Sequence, residues 1–208
     1  MRTGATLFLA ILLTGGIAYA APSPLEVYDV TTYGATGAYD CASDQAGIQA
    51  AIEAAHAARG GTVYFPAGYY CITGEILGHE NITLKGASMA GANASSASVL
   101  ETAPDFDGTG ATIIGMANKN GGNYGFALED LSIYVPVITS DESAGFTVVD
   151  FTGAWYGAIR GVAVAGEAFG PDPYLVHSAN SVGFLFDDNE GESASFGTIV
   201  ERTSASTW

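Results

Sequence analysis

The feature that most restricts the fold is a repeat in the second half of the chain. Gly110-Ala111-Thr112-Ile113-Ile114, Gly145-Phe146-Thr147-Val148-Val149 and Gly183-Phe184-Leu185-Phe186-Asp187 each set a glycine before an apolar run. After a loop, each is followed by an aromatic-glycine pair that opens a second run. The pairs are Tyr124-Gly125 before Leu128-Glu129-Asp130-Leu131, Tyr156-Gly157 before Ile159-Arg160-Gly161-Val162, and Phe196-Gly197 before Val200-Glu201-Arg202-Thr203. They stand 32 and 40 residues apart. A coil of constant strand length with loops of variable size gives that pattern, because parallel strands of successive turns stack about 4.8 Å apart around one apolar interior. A β-sandwich also uses short strands and turn residues, but unequal repeats of one turn each favour the coil. The repeat predicts an all-β, single-stranded parallel β-helix.

The first half is organised differently, with one helix among short strands. Residues 27–31 read as a strand, followed by the turn-rich Tyr33-Gly34-Ala35-Thr36-Gly37. Asp44 stands where a carboxylate can accept a backbone N–H left free in the first helical turn, and is expected to cap the helix. Ile48, Ala51, Ile52 and Ala55 then recur at helical spacing, and Gly60-Gly61 ends the helix. The β-rich Thr62-Val63-Tyr64-Phe65, a Pro66-Ala67-Gly68 turn, and strands over 69–73 and 81–85 follow.

The run Tyr33-Gly34-Ala35-Thr36-Gly37, the helix Ala46-Gly47-Ile48-Gln49-Ala50-Ala51-Ile52, the segment Gly60-Gly61-Thr62-Val63-Tyr64-Phe65-Pro66-Ala67-Gly68-Tyr69-Tyr70 and the strand Asn81-Ile82-Thr83-Leu84-Lys85-Gly86 together resemble the N-terminal signature of the pectate-lyase superfamily. That group includes bacterial polysaccharide lyases and hydrolases, alginate epimerases and phage tailspike depolymerases. The resemblance implies a right-handed parallel β-helix whose N-terminal α-helix caps the open end, covering apolar surface and unpaired strand edges. It departs from the family pattern over residues 38–43, where consecutive aspartates are usual and this chain has Asp40, Cys41 and then Asp44.

Compartment follows from the first residues. Met1-Arg2, the apolar Ala5-Thr6-Leu7-Phe8-Leu9-Ala10-Ile11-Leu12-Leu13 and the small-x-small Ala18-Tyr19-Ala20 form a secretory signal peptide, too short to span a bilayer. Residues 1–20 are expected to be removed, leaving 21–208 as one β-helix domain, with 25–88 as cap and first rungs and 89–208 as further rungs. The protein is then secreted, extracellular or periplasmic, with no membrane span. The chain stops after a strand-like segment without a terminal cap, which reads as a coil cut short at the C-terminus. Cys41 and Cys71 are the only cysteines; an exported even pair tends to join, closing a loop of about 30 residues, and two buried free thiols are the alternative.

Charge narrows the partners. Six Lys and Arg stand against 22 Asp and Glu, a formal net charge of −16, and loss of Arg2 makes it one unit more negative. Nucleic acid is excluded as a natural partner, since phosphate binding needs clustered cations. A neutral polysaccharide, or an acidic one bridged through Ca²⁺, fits the charge, which also serves solubility.

Candidate chemistry lies outside the strands, in the longer connections at 136–144, with Asp141 and Glu142, and at 166–181. Trp155 and Tyr174 offer aromatic faces to a sugar ring, or pack their loops, and His177 is a candidate acid or base, or a solvated loop histidine. Aligning the repeats on Gly145 and Gly183 places Asp150 opposite Asp188, with Asp187 beside it. Carboxylates on neighbouring rungs serve as an acid and base pair for glycoside hydrolysis, or hold Ca²⁺ for β-elimination, or are solvated turn residues. Of the polygalacturonase site motifs only Asp187-Asp188 has a counterpart, and Asp172-Pro173-Tyr174 holds half of the epimerase Asp-Pro-His-Glu motif. Arg160 and Arg202 are the coil arginines available to a lyase mechanism. The expected activity is cleavage of polysaccharide by β-elimination or hydrolysis; the alternative is a noncatalytic glycan-binding or adhesion β-helix.

Overall fold

The computed structural model describes residues 26–89, 95–106, 111–119, 123–135, 146–166, 182–186, 199–201 and 204–207. After β1 (Val27–Asp29), a 3-10 turn over Val30–Tyr33 and helix α1 (Asp44–Ala57), the chain winds in repeated turns. The first is β2 (Gly61–Phe65), β3 (Gly68–Ile72) and β4 (Ile76–Gly78). The second is β5 (Ile82–Gly86), β6 (Ser98–Thr102), β7 (Thr112–Met116) and the short β8 (Asn123–Tyr124). The third is β9 (Ala127–Glu129), β10 (Ser132–Val135), β11 (Thr147–Asp150) and β12 (Ala154–Trp155). Then come β13 (Ala158–Arg160), β14 (Ala163–Gly166) and β15 (Val182–Leu185), followed by β16 (Ile199–Glu201) and β17 (Ser204–Thr207). Each strand pairs in parallel with its counterpart one turn away, giving sheets ordered β1-β2-β5-β9-β13-β16, β3-β6-β10-β14-β17 and β4-β7-β11-β15, with β8-β12 as a small fourth. On each turn the described strands follow the sheets in the same order. It is a parallel β-helix.

The register explains why this sequence winds so. Val63, Leu84, Leu128 and Ile159 form one inward ladder; Tyr70, Leu100, Ile133 and Val164 a second; Ile76, Ile114 and Val149 a third. All are buried. Burying a Val, Leu or Ile side chain contributes about 1.5–3 kcal/mol, so each added turn extends one continuous core. On the outer face the partners are charged: Lys85, Glu129, Arg160 and Glu201 stand in one row, with contacts of 2.9 Å from Lys85 to Glu129, 3.2 Å from Arg160 to Glu129 and 3.4 Å from Arg160 to Glu201. Arg160, the candidate lyase arginine, is thus held in an ion-pair row. Arg202 lies outside the described residues.

Helix α1 closes the N-terminal end through its side chains. Ile48, Ala51, Ile52 and Ala55 are fully buried beneath it. On the adjoining face, Gln45 accepts the Thr73 N–H at 3.3 Å and donates to the Glu75 carbonyl at 3.2 Å, while Gln49 accepts the Leu77 N–H at 3.1 Å and donates to the Leu77 carbonyl at 3.3 Å. These amides stand in for the strand that the first turn lacks, satisfying edge groups that would otherwise be unpaired. Glu53 and His56 continue the row: His79 Nε2 lies 3.1 Å from Glu53, and the His56 and His79 rings stack at 4.0 Å.

Two expectations about this end need correction. The strand over 27–31 ends at Asp29, whose carboxylate accepts the Thr31 N–H and turns the backbone into the 3-10 segment. Asp44 does not cap α1. The capping position is Ser43, and the buried Asp44 carboxylate faces away from the helix, accepting from Thr36 N–H at 2.7 Å, Thr36 Oγ1 at 3.0 Å, Asp40 N–H at 2.9 Å and Cys71 N–H at 3.0 Å. It ties the loop before the helix to the edge of β3. Beside it, Cys41 and Cys71 form a disulfide with α-carbons 4.8 Å apart.

Candidate functional site

The outer face of β4, β7 and β11 gathers side chains from three successive turns. The pairing of Val149 with Ile114 sets Asp150 beside Gly115, and Leu77 pairs with Gly115 from the other side. Glu75 immediately precedes β4. A Cβ on Gly115 would collide with Glu75 Oε1, so the Glu75 carboxyl lies across the strand where the glycine leaves room. Lys119, just beyond β7, places its Nζ 2.7 Å from Asp150 Oδ2 and 3.9 Å from Glu75 Oε1. Both carboxyls therefore reach one ammonium.

Their environments push the two acids apart. Burial opposes the charge on Asp150, but the hydrogen bond from Lys119, those from Thr152 and the lysine's charge outweigh it and hold the carboxyl below its ordinary range. Burial raises Glu75 above the ordinary glutamate range; Lys119 opposes this and the Asp150 charge adds to it. One acid is held ionised while its neighbour keeps its proton to higher pH. Such a divergence leaves Asp150 as the fixed counter-ion of the ammonium and Glu75 as the more basic acid able to exchange a proton beside it.

Beside this cluster the small β8-β12 sheet carries aromatic residues. Trp155 pairs with Tyr124, and their rings meet edge to face at 5.3 Å and 70°. Tyr156 lies nearly parallel to Tyr124, at 6.4 Å and 20°. Asn123 Nδ2 links the two regions, donating to the carbonyls of Asn118 and Gly153.

Of the residues the sequence singled out, Asp150 and Trp155 lie at this corner. The proposed alignment of Asp150 with Asp188 is overturned: Asp150 pairs with Leu185, because β15 starts at Val182 and its register is shifted by three residues from the Gly145–Gly183 match. The first two aromatic-glycine pairs also do not superpose; Ala127 opposes Ala158, which brings Gly125 to the level of Tyr156. Asp187, Asp188, Tyr174 and His177 lie outside the described residues, as do the connection 136–144, residues 167–181 and the signal segment 1–20. Among the described residues no group of three or more His, Cys, Asp or Glu side chains is arranged to hold a metal ion. Nor is any described helix long and apolar enough to cross a membrane. Glu75 and Lys119 were not legible as partners, since each sits in a connection that the repeat does not mark.

The chain is similar over short stretches to proteins of known kind. Mannuronan C5-epimerase AlgE1 of Azotobacter vinelandii is 57% identical over 47 residues, covering 23% of this chain and 3% of the relative. Mannuronan C5-epimerase AlgE4 of the same organism is 44% identical over 69 residues, covering 30% of this chain and 12% of the relative. The matched segments thus span a small part of these relatives' length. The solved AlgE4 A-module superposes over 88% of this chain and 70% of its own, with 17% identity and a TM-score of 0.39; the AlgE6 A-module does so over 84% and 62%, with 18% identity and a TM-score of 0.38. The model of the rhamnogalacturonase A/epimerase, pectate lyase-like family matches residues 27–148, which run from β1 into β11 through most of the coil described above, and the chain belongs to that family.

Proposed function

We propose that this protein is an exported enzyme acting on a uronate-containing polysaccharide, and that its reaction begins with removal of the proton at C5 of a uronate ring. The finer expectation of β-elimination fits this chemistry, and so does the epimerisation for which the mannuronan C5-epimerase relatives are named. Both reactions start from the same carbanion. Elimination expels the 4-linked sugar from it; epimerisation returns a proton to the opposite face. Hydrolysis needs no such step.

The observation that carries the reading is the Glu75–Lys119–Asp150 cluster, with two divergent carboxyls on one ammonium at the outer face of the coil. Removing a proton next to a carboxylate builds charge that a nearby cation stabilises. In so acidic a chain, an outward-facing lysine also supplies local attraction for a uronate. Asp150, ionised and bonded through both oxygens, is suited to hold Lys119 in place, and Glu75, the more basic and more exposed acid, to exchange the proton. Export is supported by the Cys41–Cys71 disulfide, which belongs to an oxidising compartment.

The test is incubation of the full chain with mannuronan and polygalacturonate in deuterated water. Deuterium entering C5 with the chain length intact indicates epimerisation. An unsaturated uronate at a new chain end indicates elimination. Reducing ends without either signal would show hydrolysis and defeat the proposal, and binding without turnover would leave the glycan-binding alternative.

A further inference from the structure

Where each turn enters the first sheet, the backbone passes through a left-handed corner. The pairings Gly61–Ile82, Thr83–Ala127 and Ala127–Ala158 put Gly60, Asn81, Gly125 and Tyr156 at that one position, with φ of 129°, 58°, 70° and 54°. Glycine and asparagine are the residues that accept this conformation at least strain, whereas a bulky aromatic residue is an outlier there. The fold asks for glycine and receives tyrosine. Nor does the core reward it: Tyr156 is 68% exposed and its neighbour Tyr124 45% exposed. Strain kept at an exposed position, without burial to offset it, marks a residue serving something outside the fold.

We infer that Tyr156 and Tyr124 form a stacking platform for pyranose rings of the polysaccharide, which rests on the reading that this protein acts on such a polymer. The C–H face of a pyranose is apolar and its rim is hydroxylated, so half-exposed aromatic rings can cover the face while leaving the rim in water. The edge of Trp155 braces Tyr124, and the near-parallel Tyr156 extends the surface. The segments that carry the platform are tied to those that carry the carboxyl cluster. Asn123, next to Tyr124, bonds the carbonyl of Asn118, next to Lys119, and the carbonyl of Gly153 in the turn that carries Asp150 to Trp155.

The decisive variant is Tyr156→Gly, because it removes the ring and relieves the corner together. Short oligomers of mannuronate, galacturonate and neutral glucan are titrated calorimetrically into the full chain and the variant, and thermal unfolding is followed in parallel. The platform predicts that Tyr156→Gly melts a few degrees higher than the parent yet binds the preferred oligomer about tenfold more weakly, the loss expected when about 1.4 kcal/mol of contact is removed. Tyr124→Ala should weaken binding similarly. Unchanged affinity in Tyr156→Gly, or a lowered melting temperature, overturns the platform. So does sedimentation showing a dimer that Tyr156→Gly dissolves, since the face would then serve a second copy of the chain. Oligomer binding that depends on Tyr156 with no C5 exchange would support the platform and defeat the proposed reaction; exchange with KM and Kd unchanged in Tyr156→Gly would do the reverse.

Discussion

Replacing Lys119 with methionine keeps most of the side chain's length while removing the charge that couples the two acids. Asp150 Oδ2 loses its 2.7 Å partner, and the Asp150 side chain is only 7% exposed, so the charge stays largely shielded from water. Breaking a buried pair destabilises by about 3–5 kcal/mol. Lys119 is 42% exposed, however, so water reaches the vacated position, and the expected loss falls to about 2 kcal/mol at neutral pH. For a domain of this size that lowers the melting temperature by about 4–8 °C. The pH dependence has a definite sign. The Asp150 carboxyl is held below its ordinary range in the folded protein, so its stabilising contribution is full above the unfolded value, near pH 4, and is lost as pH falls through the folded value. Without Lys119 the folded value rises and that contribution shrinks. The gap between parent and Lys119→Met should therefore be widest at neutral pH and close on acidification. Urea unfolding across a pH series measures it. A gap that is constant with pH, or that widens toward acid, would refute the coupling of Lys119 to Asp150.

Asp44→Asn should lose about 4 kcal/mol, because the amide that replaces one oxygen leaves the Asp40 and Cys71 N–H groups facing a donor, at about 1–3 kcal/mol each; chemical denaturation checks it. Gly115→Ala should leave stability within about 1 kcal/mol, because its methyl meets the movable end of the Glu75 side chain, yet displace that carboxyl and so cut the proposed reaction; a crystal structure of the variant would show where the carboxyl goes. Replacing Cys41 and Cys71 together with serine should remove about 3.5 kcal/mol, the chain-entropy value for a 30-residue separation, measured by unfolding with and without reductant.

The fold was legible because a coil repeats its own constraints. Leu128-Glu129 and Ile159-Arg160 oppose one another, one residue off the aromatic-glycine spacing, since an apolar residue followed by a charge fits only one facing of a parallel pair. The strand Ser98–Thr102 carries no glycine before it and falls between the two patterns, so nothing in the repeat marks it. The repeat failed where loops change length. Gly183 was matched to Gly145, yet apolar packing prefers Phe184 opposite Val149 and carries the whole strand three residues along. That shift moved Asp150 away from Asp188. Nothing in the periodicity flags Glu75 or Lys119, whose roles depend on side chains crossing between turns. Asp44 misled for a related reason: its position suits a helix cap, but the edge of β3 offers an N–H that neither sheet nor helix otherwise satisfies.

The coil itself limits what chemistry its outer face can perform. Matching positions two turns apart are separated by about 9.6 Å of stacked backbone, too far for two short acids to share one partner directly. Glu75 and Asp150 are set two turns apart, and they meet one ammonium through two departures from the regular ladder. Gly115 on the middle turn contributes no side chain, which lets Glu75 lean across it. Lys119 comes from the same turn and extends to Asp150 on the next. The middle turn therefore supplies both the gap and the bridge. A bulkier residue at Gly115 would return Glu75 to its own turn, and a shorter one at Lys119 would leave Asp150 bonded to Thr152 but without its cation. In either case the coil would still wind, because the ladders of Ile76, Ile114 and Val149 face the opposite way. Chemistry on this scaffold is set by the outward residues of three neighbouring turns and can be lost while the inward ladders keep the fold.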